Sequence, residues 1–162
     1  MSRGPKAVVE ELLRSTTDPV KVRQLVAPDV TYVSLNYENV DLHRIMPWCG
    51  TSTGPEAIVS TFTRVAQFWR IDSFTPEVIF GEGTHVAVFG RFTYTSTVLG
   101  KTVNSPFAIY CEVVDGKVTY MQFMEDTLRT SWSFKESGTW RFRSDPEGGA
   151  VEFQEFGRRG TE

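Results

Sequence analysis

The feature that most constrains the fold is a series of long alternating segments between residues 71 and 125. The segments IDSFTPEVIF, HVAVFGRFTYTSTV, VNSPFAIYCEVV and KVTYMQFME are rich in β-branched and aromatic residues, and short Gly-containing stretches separate them. The Asp115-Gly116 dipeptide between the last two is typical of tight hairpin turns. The sequence therefore predicts a meander of long antiparallel strands.

Helical patterns precede these strands. Residues 5–14 and the stretch from Ile58 to Trp69 carry apolar side chains at helical spacing, and Asp18-Pro19 is a good start for a short helix between them. Residues 30–35 alternate as a first strand, and residues 36–51 are predicted to be a long loop. Helices followed by strands indicate an α+β fold, in which a curved sheet wrapped around a helix would enclose one conical cavity.

The composition indicates one globular domain. The chain has 162 residues, of which 40% are hydrophobic and 23% are charged, which suits one domain with its own core. The net charge is −3 and no basic run stands out beyond Arg158-Arg159, so a nucleic-acid partner is not expected. No apolar stretch approaches the roughly 20 residues that cross a bilayer, and the N-terminus lacks the apolar region of a signal peptide.

The two cysteines, Cys49 and Cys111, are expected to be free. They lack metal-ligand spacing and are too few for a disulfide scaffold, so the simplest interpretation is a reducing, cytoplasmic location. The chain has only two histidines, far apart in the sequence. No dedicated metal site and no cofactor are therefore predicted.

Two segments resemble a known family. MPWCGTSTGPEAI (46–58) resembles a Pro-aromatic-x-Gly loop that runs into the long helix of the nuclear transport factor two-like superfamily, also called SnoaL-like or ketosteroid-isomerase-like. DGKVTYMQFMEDT (115–127) resembles the hairpin, strand and closing Asp-Thr of the same superfamily. The resemblance implies a cone-shaped fold of N-terminal helices packed in a curved, mostly antiparallel sheet. Within the superfamily the chain resembles bacterial ketosteroid isomerase-related proteins.

This resemblance covers about residues 5–136. We therefore expect a SnoaL-like domain at residues 1–136 and a C-terminal extension at 137–162. In the extension, GTWRFR and AVEFQEF flank SDPEGG, which predicts a β-hairpin followed by a flexible tail. Members of the superfamily include isomerases, polyketide cyclases, epoxide hydrolases, dehydratases and binding domains, so the fold does not fix the activity.

Alternation along the last long strand separates two adjacent carboxyl groups. Met121, Phe123 and Glu125 share the more apolar face, which should line the cavity, while Asp126 shares the opposite face. Glu125 is therefore the candidate proton-transfer group, with a solvated carboxylate at a strand end as the alternative. Asp126 is a second candidate, although an Asp before a short helix is a ready N-cap.

Arg91 is the candidate electrostatic partner of Glu125. It shares a strand face with Phe89 and Thr93, and an inward-facing Arg would need an anionic partner because a buried unpaired charge is costly. The resemblance to the epoxide hydrolases of this fold is incomplete. Their pattern has an Asp two residues after the Arg and a further Asp in the last strand, where this chain has Thr93 and Phe123. Epoxide hydrolysis is therefore not expected.

Two further residues are candidate proton donors near the cavity mouth. Tyr32 in the first strand would offer a phenol, and His43 in the predicted loop would offer an imidazole whose ordinary pKa suits proton transfer near neutrality. A His in a polar loop is also commonly just exposed. The steroid isomerases of this fold use an Asp base with a Tyr and a protonated Asp. The neighbouring strand here offers Phe107, Ile109 and Cys111 inward, so steroid isomerisation is not expected.

Apolar side chains make the case for a ligand pocket. The candidate ligand-binding residues, each of which could equally be ordinary core, are Trp48, Phe62, Trp69, Phe89, Phe107, Met121 and Phe123. Phe92, Tyr94 and Tyr110 are expected on the outer face of the sheet, where exposed aromatics suggest a partner surface. The resemblance implies a homodimer through that face.

Two functions remain open. The first is a small-molecule-binding SnoaL-like protein that acts as a cofactor-free isomerase, cyclase or dehydratase by proton transfer next to a carbonyl. Its ligand would be hydrophobic or amphipathic. The second is a non-catalytic binding or dimeric interaction module, which a cavity below about 100 Å³ would favour because ligand pockets are usually several times larger.

Overall fold

A curved six-stranded sheet holds most of the chain in the computed structural model, which describes residues 4–154. The helices are α1 (Pro5–Leu13), α2 (Pro19–Leu25), α3 (Val40–Ile45), α4 (Pro55–Phe68) and α5 (Thr127–Trp132). The strands are β1 (Val26–Ser34), β2 (Gly50–Thr53), β3 (Trp69–Glu82), β4 (His85–Ser96), β5 (Thr102–Val114), β6 (Lys117–Glu125), β7 (Trp140–Phe142) and β8 (Val151–Phe153). The α+β fold class predicted from the sequence is confirmed.

The strands of the large sheet lie in the order β2-β1-β6-β5-β4-β3. Strands β3 to β6 form the predicted antiparallel meander. Strand β1 pairs parallel with β6 and antiparallel with β2. The parallel pair sets Tyr32 of β1 beside Met121 of β6, which brings the first strand of the chain next to the last strand of the sheet.

The hairpin between β5 and β6 is built by Asp115 and Gly116. Their φ angles are 50° and 74°, and a two-residue turn with both central φ angles positive twists in the same sense as the strands it joins. This turn sets Val113 opposite Val118, and a one-residue bulge beyond it shifts the register so that Phe107 lies opposite Glu125 at the far end of the pair.

Helices α1, α2 and α4 cover the inner face of the sheet. Asp18 begins α2, because its carboxylate accepts hydrogen bonds from the backbone N–H groups of Val20 and Lys21 at 3.0 and 3.1 Å. Val9, Leu12 and Ile58 of the helices are fully buried against the strands. A core of aromatic and aliphatic side chains therefore lies between the helices and the inner sheet face.

The prediction of a long loop at residues 36–51 is wrong. Asn39 starts α3 there by accepting a hydrogen bond from the backbone N–H of Leu42 at 2.9 Å, and Leu42 and Met46 are buried. Strand β2 then pairs with β1. A capping Asn and two apolar anchors are enough to order one helical turn and a half in this segment.

Strand β4 faces the opposite way from the sequence prediction. Val88, Phe92 and Tyr94 are buried on the inner face, whereas Phe89 and Arg91 lie on the outer face. The core takes the bulkier apolar set, because burying it removes more apolar surface from water. Gly90 leaves space for the ring of Phe107, because a Cβ atom at position 90 would lie 2.6 Å from that ring.

Strands β7 and β8 pair antiparallel into a separate two-stranded sheet beyond α5. The domain boundary at residue 136 stays a prediction, and the predicted flexible tail falls largely on residues after 154, outside the described part of the chain. Within residues 4–154, no helix is both long and apolar enough to cross a membrane.

Candidate functional site

Strand β6 positions the candidate site at its C-terminal end. Met121 and Phe123 are buried on its inner face, and Glu125 follows on the same face at the strand's end. This is the placement that alternation predicted. Glu125 reaches the wall of a narrow internal cavity of about 20 Å³, which is room for about one water molecule.

The carboxyl group of Glu125 has a polar partner, and no cation among residues 4–154 pairs with it. The hydroxyl of Thr130, a fully buried residue of α5, donates a hydrogen bond to Glu125 Oε1 at 3.0 Å and also lies 3.1 Å from the carbonyl oxygen of Asp126. Burial raises the pKa of Glu125 to about 7, the Thr130 hydrogen bond opposes that rise, and the nearby Asp126 charge adds to it. At neutral pH the group is therefore poised between acid and base.

Two tyrosines face the same cavity. Tyr32 on β1 and Tyr94 on β4 are both buried and both line the cavity with Glu125. Burial raises the pKa of each phenol, and the negative charge of Glu125 raises both further. Both phenols are therefore protonated hydrogen-bond donors at neutral pH. The prediction that Tyr94 lies on the outer face is wrong.

Apolar side chains close the rest of the cavity. Trp48, Phe62, Trp69 and Phe123 line it, and their ligand-binding role stays a prediction. Trp48 packs edge-on against Trp69 with ring centroids 5.2 Å apart, and the indole N–H of Trp69 donates to the hydroxyl of Ser133 at 2.8 Å. These contacts hold both indole rings in place.

Phe107 and Met121 lie in the core behind this cavity rather than on its wall. Phe107 stacks on Phe74 with ring centroids 4.4 Å apart, and Met121 is fully buried. These positions do not favour the predicted ligand-binding role of Phe107 and Met121. Phe89 lies on the outer face, 48% exposed and stacked on Phe80, so its predicted place in the pocket is wrong.

Arg91 does not reach Glu125. Its guanidinium Nε lies 2.7 Å from Glu77 Oε1 on the outer face, and the Arg91 side chain is 76% exposed. The predicted Arg91–Glu125 pair is wrong, because β4 turns its apolar set inward and leaves the charged residue in solvent.

Asp126 begins α5. Its carboxylate accepts a hydrogen bond from the backbone N–H of Arg129 at 3.1 Å, and its own N–H donates to the hydroxyl of Ser105 at 3.0 Å. The side chain is exposed. This arrangement is the N-cap that the sequence offered as the alternative to a catalytic role.

His43 lies in α3, not in a loop, and its side chain is exposed. Its Nδ1 lies 2.8 Å from the carbonyl oxygen of Cys49, to which it donates. It borders a surface cleft with Tyr37 and Thr51, separate from the residues around Glu125. The structure thus brings Glu125 and Tyr32 together and leaves His43, Arg91 and Asp126 apart from them.

Sequence reasoning missed Tyr94 and Thr130 as members of the site. Tyr94 carried a usable signal, because it alternates in phase with Val88 and Phe92, the more apolar set of β4. Thr130 carried none: its hydroxyl reaches Glu125 only because α5 folds back over the end of β6.

The described residues 4–154 contain no group of three His, Cys, Asp or Glu side chains placed to hold a metal ion. Cys49 and Cys111 are both free and buried. Burial raises the pKa of the Cys111 thiol to about 12, so this thiol is not an activated nucleophile.

A second cavity lies next to the first. It has a volume of about 190 Å³ and is bordered by the α1–α2 connection, by α4 and by the start of β3. Phe62, Val65 and Tyr94 line both cavities. These three side chains therefore form the wall between them.

The curved mixed sheet and the helices on its inner face can be compared with known protein families. The model of the SnoaL-like domain family matches residues 7–121, and the chain belongs to this family. The resemblance that residues 46–58 and 115–127 suggested is confirmed.

Two curated relatives match almost the whole chain. Patulin synthesis protein F of Aspergillus clavatus is 44% identical over 155 residues, which cover 92% of this chain and 78% of the relative. Patulin biosynthesis cluster protein F of Penicillium expansum is 42% identical over 155 residues, with the same coverage of each chain.

Solved structures support the fold. An NTF2-like protein of Burkholderia thailandensis superimposes with a TM-score of 0.70 at 22% identity, over 83% of this chain and 99% of that one. The protein TerC, co-crystallised with polyporic acid, superimposes with a TM-score of 0.61 at 21% identity, over 77% of this chain and 94% of that one. At these identities the likeness concerns the fold alone.

Proposed function

We propose that this SnoaL-like protein is an enzyme that moves a proton next to a carbonyl group of a small, largely apolar substrate. The observation that carries the proposal is the place of Glu125. Its carboxyl group lies on the wall of an apolar cavity, hydrogen-bonded by a buried Thr130 and faced by Tyr32 and Tyr94. Carboxyl groups with a raised pKa in such surroundings are typical of catalytic sites.

The proposed reaction needs only proton transfers. Glu125 as carboxylate takes a proton from the carbon next to the carbonyl, and the electron pair of that C–H bond moves onto the carbonyl oxygen. A phenol of Tyr32 or Tyr94 donates a hydrogen bond to this developing oxyanion. Protonated Glu125 then returns the proton to a carbon of the substrate, which completes an isomerisation. In a dehydration, the enolate electron pair would form a C=C bond as a β-hydroxyl group leaves, and protonated Glu125 would give that group the proton that makes it water. In a cyclisation, the enolate carbon would bond to a second carbonyl carbon, whose C=O π bond breaks and whose oxygen would take the proton from Glu125.

Two observations bear on the role of the protein and on the charge of its substrate. The names of the curated relatives tie those proteins to patulin synthesis, which supports a biosynthetic role for this chain. The apolar lining around Glu125 also favours an uncharged molecule, because a second charge in that cavity would be costly to desolvate.

A non-catalytic binding module is the second candidate, and the small size of the inner cavity favours it. At about 20 Å³ the cavity beside Glu125 holds one water, far below the roughly 300 Å³ or more of typical ligand pockets. In this alternative Glu125 is a half-buried carboxyl held by Thr130 and never exchanges its proton with a ligand.

An isotope-exchange experiment separates the two candidates. The protein is incubated in deuterated water with a set of small cyclic ketones and unsaturated ketones, and deuterium uptake is read by mass spectrometry. We expect uptake next to the carbonyl with the wild-type chain and none above background with Glu125→Gln. The catalytic proposal fails if wild type shows no uptake, or if the variant matches it.

A homodimer through the outer sheet face stays a prediction. Phe80 and Phe89 stack there with 56% and 48% of their surfaces exposed, and Val78 is 52% exposed beside them. Sedimentation of wild type and Phe89→Lys tests it: a dimer that the variant turns into a monomer is the expected result, and a monomeric wild type contradicts it. The cytoplasmic location likewise stays a prediction.

A further inference from the structure

The two neighbouring cavities differ in size. The inner one, beside Glu125, is about 20 Å³, and the outer one is about 190 Å³. Ile71 on the wall of the outer cavity is 41% exposed, so that wall reaches solvent. A molecule that enters the outer cavity meets Phe62, Val65 and Tyr94 before it meets Glu125.

Of these three side chains, Phe62 makes longer aromatic contacts than Tyr94 and, unlike Val65, is not β-branched. Tyr94 stacks on Phe92 with ring centroids 4.0 Å apart and packs against Trp69 at 5.7 Å. Val65 is β-branched and sits in a helix, where one χ1 rotamer is strongly preferred. Phe62 is half-buried, and its ring lies 6.4 Å from Tyr32 and 6.2 Å from Phe123, near the far end of the range for aromatic pairs.

The outer cavity has the chemistry of a site for a small, uncharged molecule. Its described lining is apolar apart from the hydroxyl groups of Thr16, Thr17 and Tyr94, and consists of Leu13, Thr16, Thr17, Ala66, Ile71 and Phe74 together with the shared wall. Its volume equals that of about six liquid waters at about 30 Å³ each. This suits a single ring with a few substituents and is too small for a polycyclic molecule.

We propose that the outer cavity is the recognition site for the substrate and that Phe62 sets the size of the molecule that reaches Glu125. A single-ring carbonyl compound would occupy the outer cavity, and rotation of the Phe62 ring would admit its carbonyl end to the inner one. The chemical step rests on the function proposed above, but the binding route does not.

Cyclohexanone is a suitable probe, because it is uncharged, of single-ring size and carries a carbonyl. It is titrated into wild-type protein while NMR follows the methyl groups of Leu13 and Ile71 and the carboxyl carbon of Glu125. We expect saturable shifts of the methyl signals, with a shift of the Glu125 signal at the same midpoint. Shifts at Glu125 without any at Leu13 and Ile71 would overturn the proposed route.

Variants at Phe62 test the wall itself. Phe62→Leu and Phe62→Ala remove ring volume, and we expect the probe to bind about tenfold more tightly, the factor that one methylene of pocket space is worth. Phe62→Trp adds volume and should weaken the response at Glu125 by about the same factor while the Leu13 and Ile71 shifts persist. If all three variants bind the probe as wild type does, the proposal is wrong.

Phe68→Leu is the matched control. Phe68 lies on the same helix and is also half-buried, but it packs against Trp48 and Phe134 and borders a different surface groove. We expect the control to lose stability comparably to Phe62→Leu and to bind the probe as wild type does. An equal gain in affinity in both variants would mean general loosening of α4 and would overturn a specific role for Phe62.

The two proposals fail in different ways. If the Phe62 variants change probe binding and Glu125→Gln leaves isotope exchange intact, the binding route stands and the catalytic role of Glu125 falls. If Glu125→Gln abolishes exchange and the Phe62 variants leave both binding and exchange unchanged, the catalytic role stands and the binding route falls.

Discussion

Two carboxyl groups in this protein accept a hydrogen bond from a threonine hydroxyl, yet their acidities shift in opposite directions. Thr130 donates to Glu125 at 3.0 Å inside the fold, and burial raises the pKa of Glu125 to about 7. Thr95 donates to Asp72 at 2.6 Å near the start of β3, and that hydrogen bond, with a second from Arg70, lowers the pKa of Asp72. The hydrogen bond is common to both sites. The difference lies in burial and in the cation that only Asp72 has beside it.

This comparison shows how the fold separates a reactive carboxyl from a structural one. At the Asp72 site the charged form is favoured by two donors and open solvent, so the group holds strands β3 and β4 together as an anion. At the Glu125 site the charged form is penalised, so the proton is easily kept or released near neutral pH.

The largest expected effect concerns catalysis. Glu125→Gln should reduce the rate of isotope exchange by about 10² to 10⁴-fold, the range for loss of a general base, and Asp72→Asn should leave the rate unchanged. Steady exchange measurements on both variants with the most reactive ketone check this. Equal losses in the two variants would show that the effect comes from stability and not from the acidity of Glu125.

The next largest expected effect concerns how the stability of the fold changes with pH. Because the pKa of Glu125 is raised in the fold, the folded chain holds a proton that the unfolded chain has already lost. The contribution of Glu125 to stability is then highest below the ordinary Glu pKa and is lost as pH rises through about 7, a loss of about 3 kcal/mol. Chemical denaturation between pH 4.5 and 8 should show this decline in wild type and not in Glu125→Gln.

Asp72 should show the opposite slope. Its lowered pKa means that it stabilises the fold above the ordinary Asp pKa and that this contribution is lost as pH falls below that value. Asp72→Asn is therefore the matched control for the previous experiment. It should flatten the acid side of the stability curve and leave the decline toward pH 8 in place.

Removing each threonine hydroxyl sharpens the comparison further. Thr130→Val and Thr95→Val should each raise the pKa of the carboxyl that loses its donor, and each should cost about 1 kcal/mol of stability. Carboxyl-carbon NMR titration and denaturant melts measure the two effects. An unchanged Glu125 titration in Thr130→Val would mean that this hydrogen bond does not tune the site.

Arg91→Ala should have the smallest effect. The Arg91–Glu77 pair is exposed on the outer face, and exposed pairs contribute about 0 to 1 kcal/mol. We expect the Glu125 titration to be unchanged, because Arg91 points away from it. A rise in the pKa of Glu125 on removal of Arg91 would restore the ion pair that the sequence suggested and the structure does not contain.

The sequence was sufficient to predict which face of β6 points inward and insufficient to predict it for β4. On β6 one alternating set, with Met121 and Phe123, is clearly more apolar, so the phase and the inward direction of Glu125 follow from hydrophobicity alone. On β4 both sets contain aromatic rings, and a pattern borrowed from related enzymes favoured Arg91. Hydrophobicity summed over Val88, Phe92 and Tyr94 would have given the observed phase.

Other parts of the site depend on long-range contacts that no local pattern encodes. Thr130 meets Glu125 through the direction that α5 takes after Asp126. The two cavities share a wall because Phe62 of α4 packs over the paired strands β1 and β6, against Tyr32 and Phe123. Helix α3 was missed because one buried Leu and an Asn cap give too weak a periodic signal in a short segment.

The parallel pairing of β1 with β6 has a consequence for how the protein matures. Tyr32 and Glu125 lie far apart in sequence and meet only when the first strand docks beside the last. The chain must close this large loop before the contacts offset its entropic cost, which slows folding. During synthesis, the backbone groups on the β6-facing edge of β1 have no partner strand until β6 has left the ribosome. We therefore expect the candidate site to be among the last parts of the molecule to form.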